Sequence, residues 1–408
     1  MKIIYVLLAF LSLPAAAFSQ AESPYNNARI IHLGSEINTK DMDYAPCVST
    51  DGTMFFVSNR PGSQLMPDKK SSHDIWMALQ KFNQDTAFFP ATNPEPAGNT
   101  PRYNLNSPLN EGAACISLDK KVLYFTGCQR PGGMGDCDLY MALLTYKGDT
   151  IGIEKVFQLS RTINSEYWDS QPSISPDNTR LYFASARPLN PRQQLDSRQP
   201  EPVYDMNIWY SDFNPETSQW QPAVPLPDVI NTSKKENTPF IAADNKTLFF
   251  ASDGHSPNYG GTDFYYSRLD EHNHWTPPVN LGKSLNTKES ELFITANVAG
   301  TTLYFSSTRT DIPGAMGSLD IYAAKVPNIL GEVNFISWQQ TRTATVDITV
   351  SNDKGIVRAV SLGEFGAGRH TVDWDGKDAN KQRVPPGSYT YEVKLGGVVD
   401  TKGRLMMK

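Results

Sequence analysis

The sequence predicts an all-β protein: a ring of small antiparallel sheets, five or alternatively six, followed by a small β-sandwich. Three observations carry this. One phrase recurs, as "CISLDKKVLYFTGCQRP" at 115–131, "SISPDNTRLYFASARP" at 173–188 and "FIAADNKTLFFASDG" at 240–254. Aromatics make up 11% of the chain beside 28 Gly and 29 Pro, proportions that suit many short strands joined by tight turns. Residues 328–408 leave the repeat but keep alternating apolar and polar residues. At 408 residues the chain exceeds one ordinary core.

The first twenty residues, "MKIIYVLLAFLSLPAAAFSQ", read as a secretory signal peptide cleaved after residue 19. Lys2 opens it, Ile3 to Leu13 form the apolar run, and Ala15, Ala17 and Ser19 are the small residues that cleavage needs. The run is short for a bilayer span, no later stretch is long enough, and no Cys near the cleavage point suggests a lipid anchor. The expected mature protein is exported and soluble. Its net charge of −6 excludes a basic nucleic-acid footprint.

Residues 26–326 hold the repeat. Phe56, Phe125, Phe183, Phe250 and Phe305 each close an apolar triplet. Fourteen residues before the last four stand Glu111, Asp169, Glu236 and Glu291; Asp43 stands thirteen before the first. Five residues ahead of each acid is an Asn: Asn38, Asn106, Asn164, Asn231 and Asn286. After the Phe comes a basic residue in four copies, Arg60, Arg130, Arg187 and Arg309, where the fourth copy has "SDGH". A polar residue then opens another strand: Asp74, Asp138, Asn207, Asp263 or Asp320.

Each unit offers three or four strands, exemplified by "PSIS" at 172–175, "RLYFAS" at 180–185, "NIWYS" at 207–211 and "TPPVNLGKSLN" at 276–286. Asp51-Gly52 and Asp177-Asn178 sit where a tight hairpin needs positive φ. Such units bury both faces only by packing radially, as a β-propeller. "RIIHLGSEIN" at 29–38 matches the fourth-strand phrase and is placed to complete the last blade. Five blades are expected. Six result if 329–335, or the stretch after Met77, forms a degenerate one.

These units resemble the WD40-like repeat of TolB-type proteins, with its Pro-x-apolar-Ser-Pro-Asp-Gly, apolar-Tyr-Phe, Ser-x-Arg and Asp-Ile-Tyr pieces; "QPSISPDNTRLYFASARP" follows it closely. The fifth copy, "ELFITANVAGTTLYF", lacks the Pro-Asp. The resemblance spans residues 29–326 and implies a propeller of the cell envelope that binds other envelope proteins. In the tail, strands such as "TATVDITVSND", "GIVRAVSL" and "GSYTYEVKL" alternate between Asp-Gly and Pro-Gly turns. "HTVDWDGKDANKQRVPPGSYTYEVKL" resembles the Ig-like domain of flagellar hook-assembly proteins through Trp374-Asp375-Gly376 and Pro386-Gly387 with Tyr389. It also resembles C-terminal sorting domains of type IX secretion cargo. Residues 328–408 are therefore expected to form an Ig-like β-sandwich.

The acids Asp43, Glu111, Asp169, Glu236 and Glu291 admit two readings. They form a ring at the channel mouth that binds a cation or basic partner, or each satisfies the backbone of its own blade. Arg60 with Asp74, Arg130 with Asp138, and Arg309 with Asp320 are expected to pair across one hairpin. Cys128 and Cys137 bracket a turn and are expected to bridge, as export permits; Cys47 and Cys115 stay unassigned. His272 and His274 are two apart in a polar turn, and no metal or cofactor site is expected. No Gly-x-Ser-x-Gly, His-Glu-x-x-His or phosphate loop occurs. The loops 61–73 and 188–206 and the connector 82–104 differ between copies, with Trp76, Tyr204 and Tyr259 as candidate contacts.

The expected function is an exported, non-catalytic binding or scaffold protein of the bacterial envelope. It would be periplasmic or outer-membrane associated, alternatively extracellular, and would engage a protein, peptide or glycan. A propeller hydrolase or lyase acting on polysaccharide is the alternative, and type IX cargo a third.

Overall fold

The computed structural model describes residues 23, 25–81, 84–94, 104–147, 150–189, 206–316, 319–327, 330, 335–340, 342–366 and 368–407. The expected signal peptide and the 95–103 and 190–205 stretches, Tyr204 among them, lie outside them.

β1 (Arg29–His32) precedes five sheets. The first is β2 (Asp43–Val48), β3 (Met54–Ser58) and β4 (Asp74–Ala78). The second is β5 (Glu111–Ile116), β6 (Val122–Cys128), β7 (Cys137–Lys147) and β8 (Thr150–Gln158). The third is β9 (Asp169–Ile174), β10 (Arg180–Ser185) and β11 (Asn207–Asn214), edged by β12 (Gln219–Trp220) and β13 (Val224–Pro225). The fourth is β14 (Glu236–Ile241), β15 (Thr247–Ser252), β16 (Asp263–Arg268) and β17 (Val279–Asn280). The fifth is β18 (Glu291–Ala296), β19 (Thr302–Ser307) and β20 (Asp320–Lys325), and β1 pairs with β20 as its outer strand. The first strands touch in a cycle: β2 with β5, β5 with β9, β9 with β14, β14 with β18, and β18 with β2. The sheets are propeller blades, and the N-terminal strand closes the ring.

The recurring phrase follows from burial on both faces. In the fourth sheet Leu248 and Phe250 pack toward the third, while Phe249 and Ala251 pack toward the fifth. A strand covered on both sides reads as an apolar run rather than an alternation. Leu181 and Phe183 face the second sheet and Tyr182 the fourth in the same way. Five separate cores thus lie between neighbouring sheets. Fully burying one such side chain contributes about 1.5–3 kcal/mol.

All five first hairpins turn alike. Gly52, Lys120, Asn178, Asn245 and Gly300 have positive φ (88°, 61°, 58°, 54° and 65°). Each lies nine residues after its acid and donates its N–H to the carbonyl three residues back. In the fifth copy Asn297 replaces the missing Asp, its Oδ1 accepting from the amides of Thr301 and Thr302. The shortened spacing in the first copy arises after this turn, since Phe56 follows Gly52 by four residues where the other copies have five.

The stretch after Met77 edges the first sheet instead of forming a sheet of its own, with Met77 bridged to Thr92 and Gln80 to Phe88. Phe335 opens the sandwich, so 329–335 supplies no further described sheet. The fourth strand is shorter than the phrase 276–286 suggests, because only Val279–Asn280 pairs.

The sandwich joins β21 (Phe335–Gln340), β22 (Ala344–Asn352), β23 (Gly355–Phe365), β24 (Gly368–Asp373), β25 (Gly387–Leu395) and β26 (Val398–Met407). One sheet runs β23-β22-β25-β26 and the other pairs β21 with β24. β21 was not anticipated, although its Trp338 is fully buried in the core with Trp374 and Tyr389. The sandwich meets the ring at the first-hairpin turns: Lys121 pairs with Asp400, and one crevice is lined by both Gly52 and Arg404. No helix among the described residues is long and apolar enough to cross a membrane.

Candidate functional site

The five acids are buried within the blades, and Glu111 alone of them also lines the cavity described below. Asp43, Asp169, Glu236 and Glu291 are fully buried and Glu111 is 1% exposed. Each accepts the backbone N–H and the hydroxyl of the residue after the repeat Asn: Thr39, Ser107, Ser165, Thr232 or Thr287. Of the two readings of these acids, the structure supports the architectural one. Burial raises the Glu111 carboxyl to about 7, against the opposing pull of Arg130 and Ser107.

The expected pairing across the second hairpin is also corrected. Arg60 Nη2 bonds Asp43 Oδ1 at 2.6 Å, Arg130 bonds Glu111 Oε1 at 2.6 Å, and Arg187 bonds Asp169 Oδ1 at 2.6 Å. Arg309 turns to Asp311 instead, at 2.8 and 2.9 Å. Each of the first three guanidiniums lies over both the repeat Phe and the aromatic ring of the third strand, as Arg60 does over Phe56 and Trp76. That stack aims the guanidinium back along the blade to the acid. Asp74, Asp138 and Asp320 hold their own loops, accepting the amides of Gln64, Met134 and Met316. In the fourth sheet His255 takes the Arg position, its Nε2 2.7 Å from the carbonyl of Ile230.

The repeat Asn residues have a role the spacing alone did not reveal. Asn164 Oδ1 accepts from Leu139 N at 2.8 Å, and its Nδ2 donates to Leu139 O at 3.0 Å. Asn38, Asn106, Asn231 and Asn286 hold Ile321, Ile75, Ile208 and Phe264 identically. A side-chain amide thus imitates one rung of a strand ladder between successive sheets.

Every first strand is bulged two residues after its acid. Ala45, Gln171, Thr238 and Phe293 take positive φ there, a costly conformation for side chains larger than glycine. The bulge turns the strand's second half into a narrow apolar channel lined by Pro46, Pro172, Pro239, Cys47 and Cys115. The thiols bond inward: Cys47 faces the Ile116 amide and Cys115 the Ile174 amide, as Ser173 Oγ accepts from Ile241 N at 3.0 Å. Burial pushes the Cys47 thiol up to about 12 and the Cys115 thiol well above its ordinary value, so neither is a ready nucleophile.

Where the first strands begin, the channel widens into a cavity of about 410 Å³. Its lining is not repeated around the ring. Tyr44 OH and His73 Nδ1 are 3.0 Å apart, and Trp168, Gln171 and Phe293 complete the aromatic and amide surface. The Cys128–Cys137 disulfide forms and stands on this rim, joining residues directly opposite each other on β6 and β7. Burial lowers the His73 pKa and raises that of Tyr44, so both are neutral at neutral pH. Of the earlier contact candidates, Trp76 is core and Tyr259 is 36% exposed on a separate loop. His272 and His274 are exposed, and no group of three metal-ligating side chains occurs among the described residues.

The tail is decided by its own match. Residues 329–397 match the FlgD Ig-like domain. The FlgD Ig-like match covers β21 to β25 of the sandwich, with Trp338 and Trp374, and ends before β26. No curated protein matches the chain. Among solved structures, the chain is similar to a TolB of Agrobacterium tumefaciens at 12% identity, covering 84% of this chain and 91% of that one, with a TM-score of 0.37. It is similar to a family-43 endo-arabinanase of Bacillus licheniformis at 10% identity, covering 70% and 94%, with a TM-score of 0.42. An exo-β-1,3-galactanase of Phanerochaete chrysosporium aligns at 9% identity over 93% and 100%, also at 0.42. Likeness at this level lends this chain no activity.

Proposed function

We propose that this chain is an exported, non-catalytic binding or scaffold protein of the bacterial cell envelope. The propeller engages a protein, peptide or glycan at the channel mouth, and the Ig-like domain docks or spaces it. The observation that carries this is the unrepeated cavity at one end of a ring whose repeated polar residues are all spent on architecture. The sandwich packs at the opposite end, which leaves that mouth open.

A glycosidase needs two carboxylates facing one cleft. The cavity is lined by Glu111 and Asp136, and both Glu111 oxygens are already occupied by Ser107 and Arg130. The Tyr44–His73 hydrogen bond favours a second reading, a polysaccharide lyase in which that pair moves a proton. The FlgD Ig-like match supports retention of the tail rather than its removal as a sorting domain.

Mild cross-linking in the native envelope, followed by mass spectrometry of partners and of the intact chain, tests this. A reproducible envelope partner with the tail intact, in the periplasm or at the outer membrane, supports the proposal. A product clipped near residue 328 in the medium, without a partner, sinks it in favour of secreted cargo. Loss of polymer viscosity on incubation with polysaccharide would favour the lyase.

A further inference from the structure

We propose that the channel below the mouth is a binding site for one unbranched acyl chain held in a neutral ester or amide linkage. This rests on the reading of the chain as a binding protein and names what enters its open face. All five first strands line the channel, and its wall contains no Asp, Glu, Lys, Arg or His. Ala, Val, Leu, Ile, Pro and Phe side chains make up most of it. A charged group would leave water there with nothing to receive it, whereas a methylene group gains by the transfer. The channel is also narrow, about 90 Å³. At about 10–15 Å³ for each water-sized group, it holds six to nine of them. An unbranched chain of medium length suits that space better than a ring.

Where the channel meets the mouth stands a neutral polar collar. Ser170 lines the mouth and Thr238 the channel, and both are 3% exposed. Neither hydroxyl has a hydrogen-bond partner. A buried hydroxyl of this kind is incomplete until a ligand or water reaches it. Gln171 lines both spaces between them. Its Oε1 accepts from Thr238 N at 2.8 Å, which keeps its side-chain NH₂ as a donor. An acyl carbonyl accepts from hydroxyl and amide donors, and the chain that follows it is apolar. The collar and the channel present the same order of polarity, from the mouth inward.

A peptide strand is the main competitor, because each first strand is the edge of its sheet. Three of these edges, β2, β9 and β14, offer few amides to a ladder. Pro46, Pro172 and Pro239 carry none. Ala45, Gln171 and Thr238 donate theirs to the side chains of Ser306, Thr126 and Gln171, each in a neighbouring sheet. Ile241 likewise donates to Ser173. Strand addition relies on main-chain hydrogen bonds, whereas a hydrocarbon chain needs none. The hydroxyls of a sugar would find few partners below the collar.

The test uses the full mature chain. Calorimetry titrates it with the N-methyl amides of butanoic, hexanoic, octanoic and decanoic acids, below micelle formation, and with octanoate. Binding should tighten about fourfold for each added methylene until the channel fills. Octanoate at neutral pH should bind about tenfold or more weakly than the octanoyl amide. The bound amide should also slow labelling of Cys115, which lines the channel. Thr238→Val removes a hydroxyl that has no partner, so its melt should hold while amide binding weakens about threefold or more. Ala113→Phe places in the second sheet the side chain that Phe293 places in the fifth, and should block the channel. Octanoylglycerol and an octanoylated neutral tetrapeptide distinguish a lipid from an acylated protein, by which of the two binds more tightly. Affinity that ignores chain length, octanoate binding as tightly as the amide, or the bare tetrapeptide binding as tightly as its acylated form overturns the proposal. If no amide binds while cross-linking still captures an envelope partner, the acyl assignment falls and the binding reading stands. Absence of both amide binding and partner removes both.

Discussion

Arg60 reaches back along its blade to Asp43, 2.6 Å away, rather than across the hairpin to Asp74. Both partners are buried, and the guanidinium also donates to the carbonyl of Ile37, next to the repeat Asn. One side chain thereby ties the loop before the first strand to the turn after the second.

That geometry predicts which pair is coupled. Removing one member of a buried pair costs about 3–5 kcal/mol. Arg60→Met should therefore destabilise by about that much in urea unfolding. A double-mutant cycle should give a large coupling for Arg60 with Asp43 and one near zero for Arg60 with Asp74. The reverse ranking would restore the pairing across the hairpin.

Asn164 should tolerate no apolar substitute. Asn164→Ala strips the Leu139 N–H of its partner, at about 1–3 kcal/mol, while the Leu139 carbonyl keeps the Leu159 N–H. Asn164→Asp keeps the acceptor but faces the Leu139 carbonyl with an oxygen, and should be nearly as damaging. Thermal melting of both variants checks this.

Cys47→Ser and Cys115→Ser should fold and melt within about 1 kcal/mol of the parent, because Ser173 already fills the equivalent position in the third blade. In the native protein Cys47 should resist a thiol reagent and react only after urea unfolding, with the half-buried Cys115 reacting sooner. Rapid native labelling of Cys47 would contradict its burial.

Glu236 has no guanidinium partner; it is bonded by Thr232 and Ser252, and burial holds its carboxyl above the usual range. A raised folded-state pKa stabilises below the unfolded value, about 4.3, and that contribution is lost as pH rises through the folded one. Stability measured by urea should therefore fall with rising pH across this window, and Glu236→Gln should flatten the slope.

Deleting residues 23–33 should open the ring. It removes β1 from β20 and takes the buried Tyr25 away from Phe249 and Tyr266. An exposed β20 edge invites self-association. Size-exclusion chromatography should show larger species than the parent, and a synthetic 23–33 peptide should restore the parent profile.

Much of the fold was legible because the repeat constrains it five times over. Strand "RLYFAS" is β10 to the residue, and "RIIHLG" closes the ring as its sequence suggests. The FlgD-like tail was legible from its turns, but β21 was missed, since "FISWQQ" carries only a weak alternation. The site was legible only in part. Spacing flagged the acids and arginines, yet a spacing cannot say whether a carboxylate faces solvent or its own loop. Loop 61–73, which ends on His73, stood out as unrepeated, but Trp168 and Ser170 went unnoticed because nothing local in the sequence brings the three together.

The sequence by itself determined the blades. A run buried on both faces, a turn residue at positive φ and an Asn at one offset are local requirements, and each copy states them again. Tertiary structure alone decided the partners. Closing the ring places Tyr44, Gln171 and Phe293, from three different sheets, around one mouth. The contact of Arg60 with the Phe56 and Trp76 rings then selects Asp43 over Asp74, because the direction of a side chain is set by the groups it packs on.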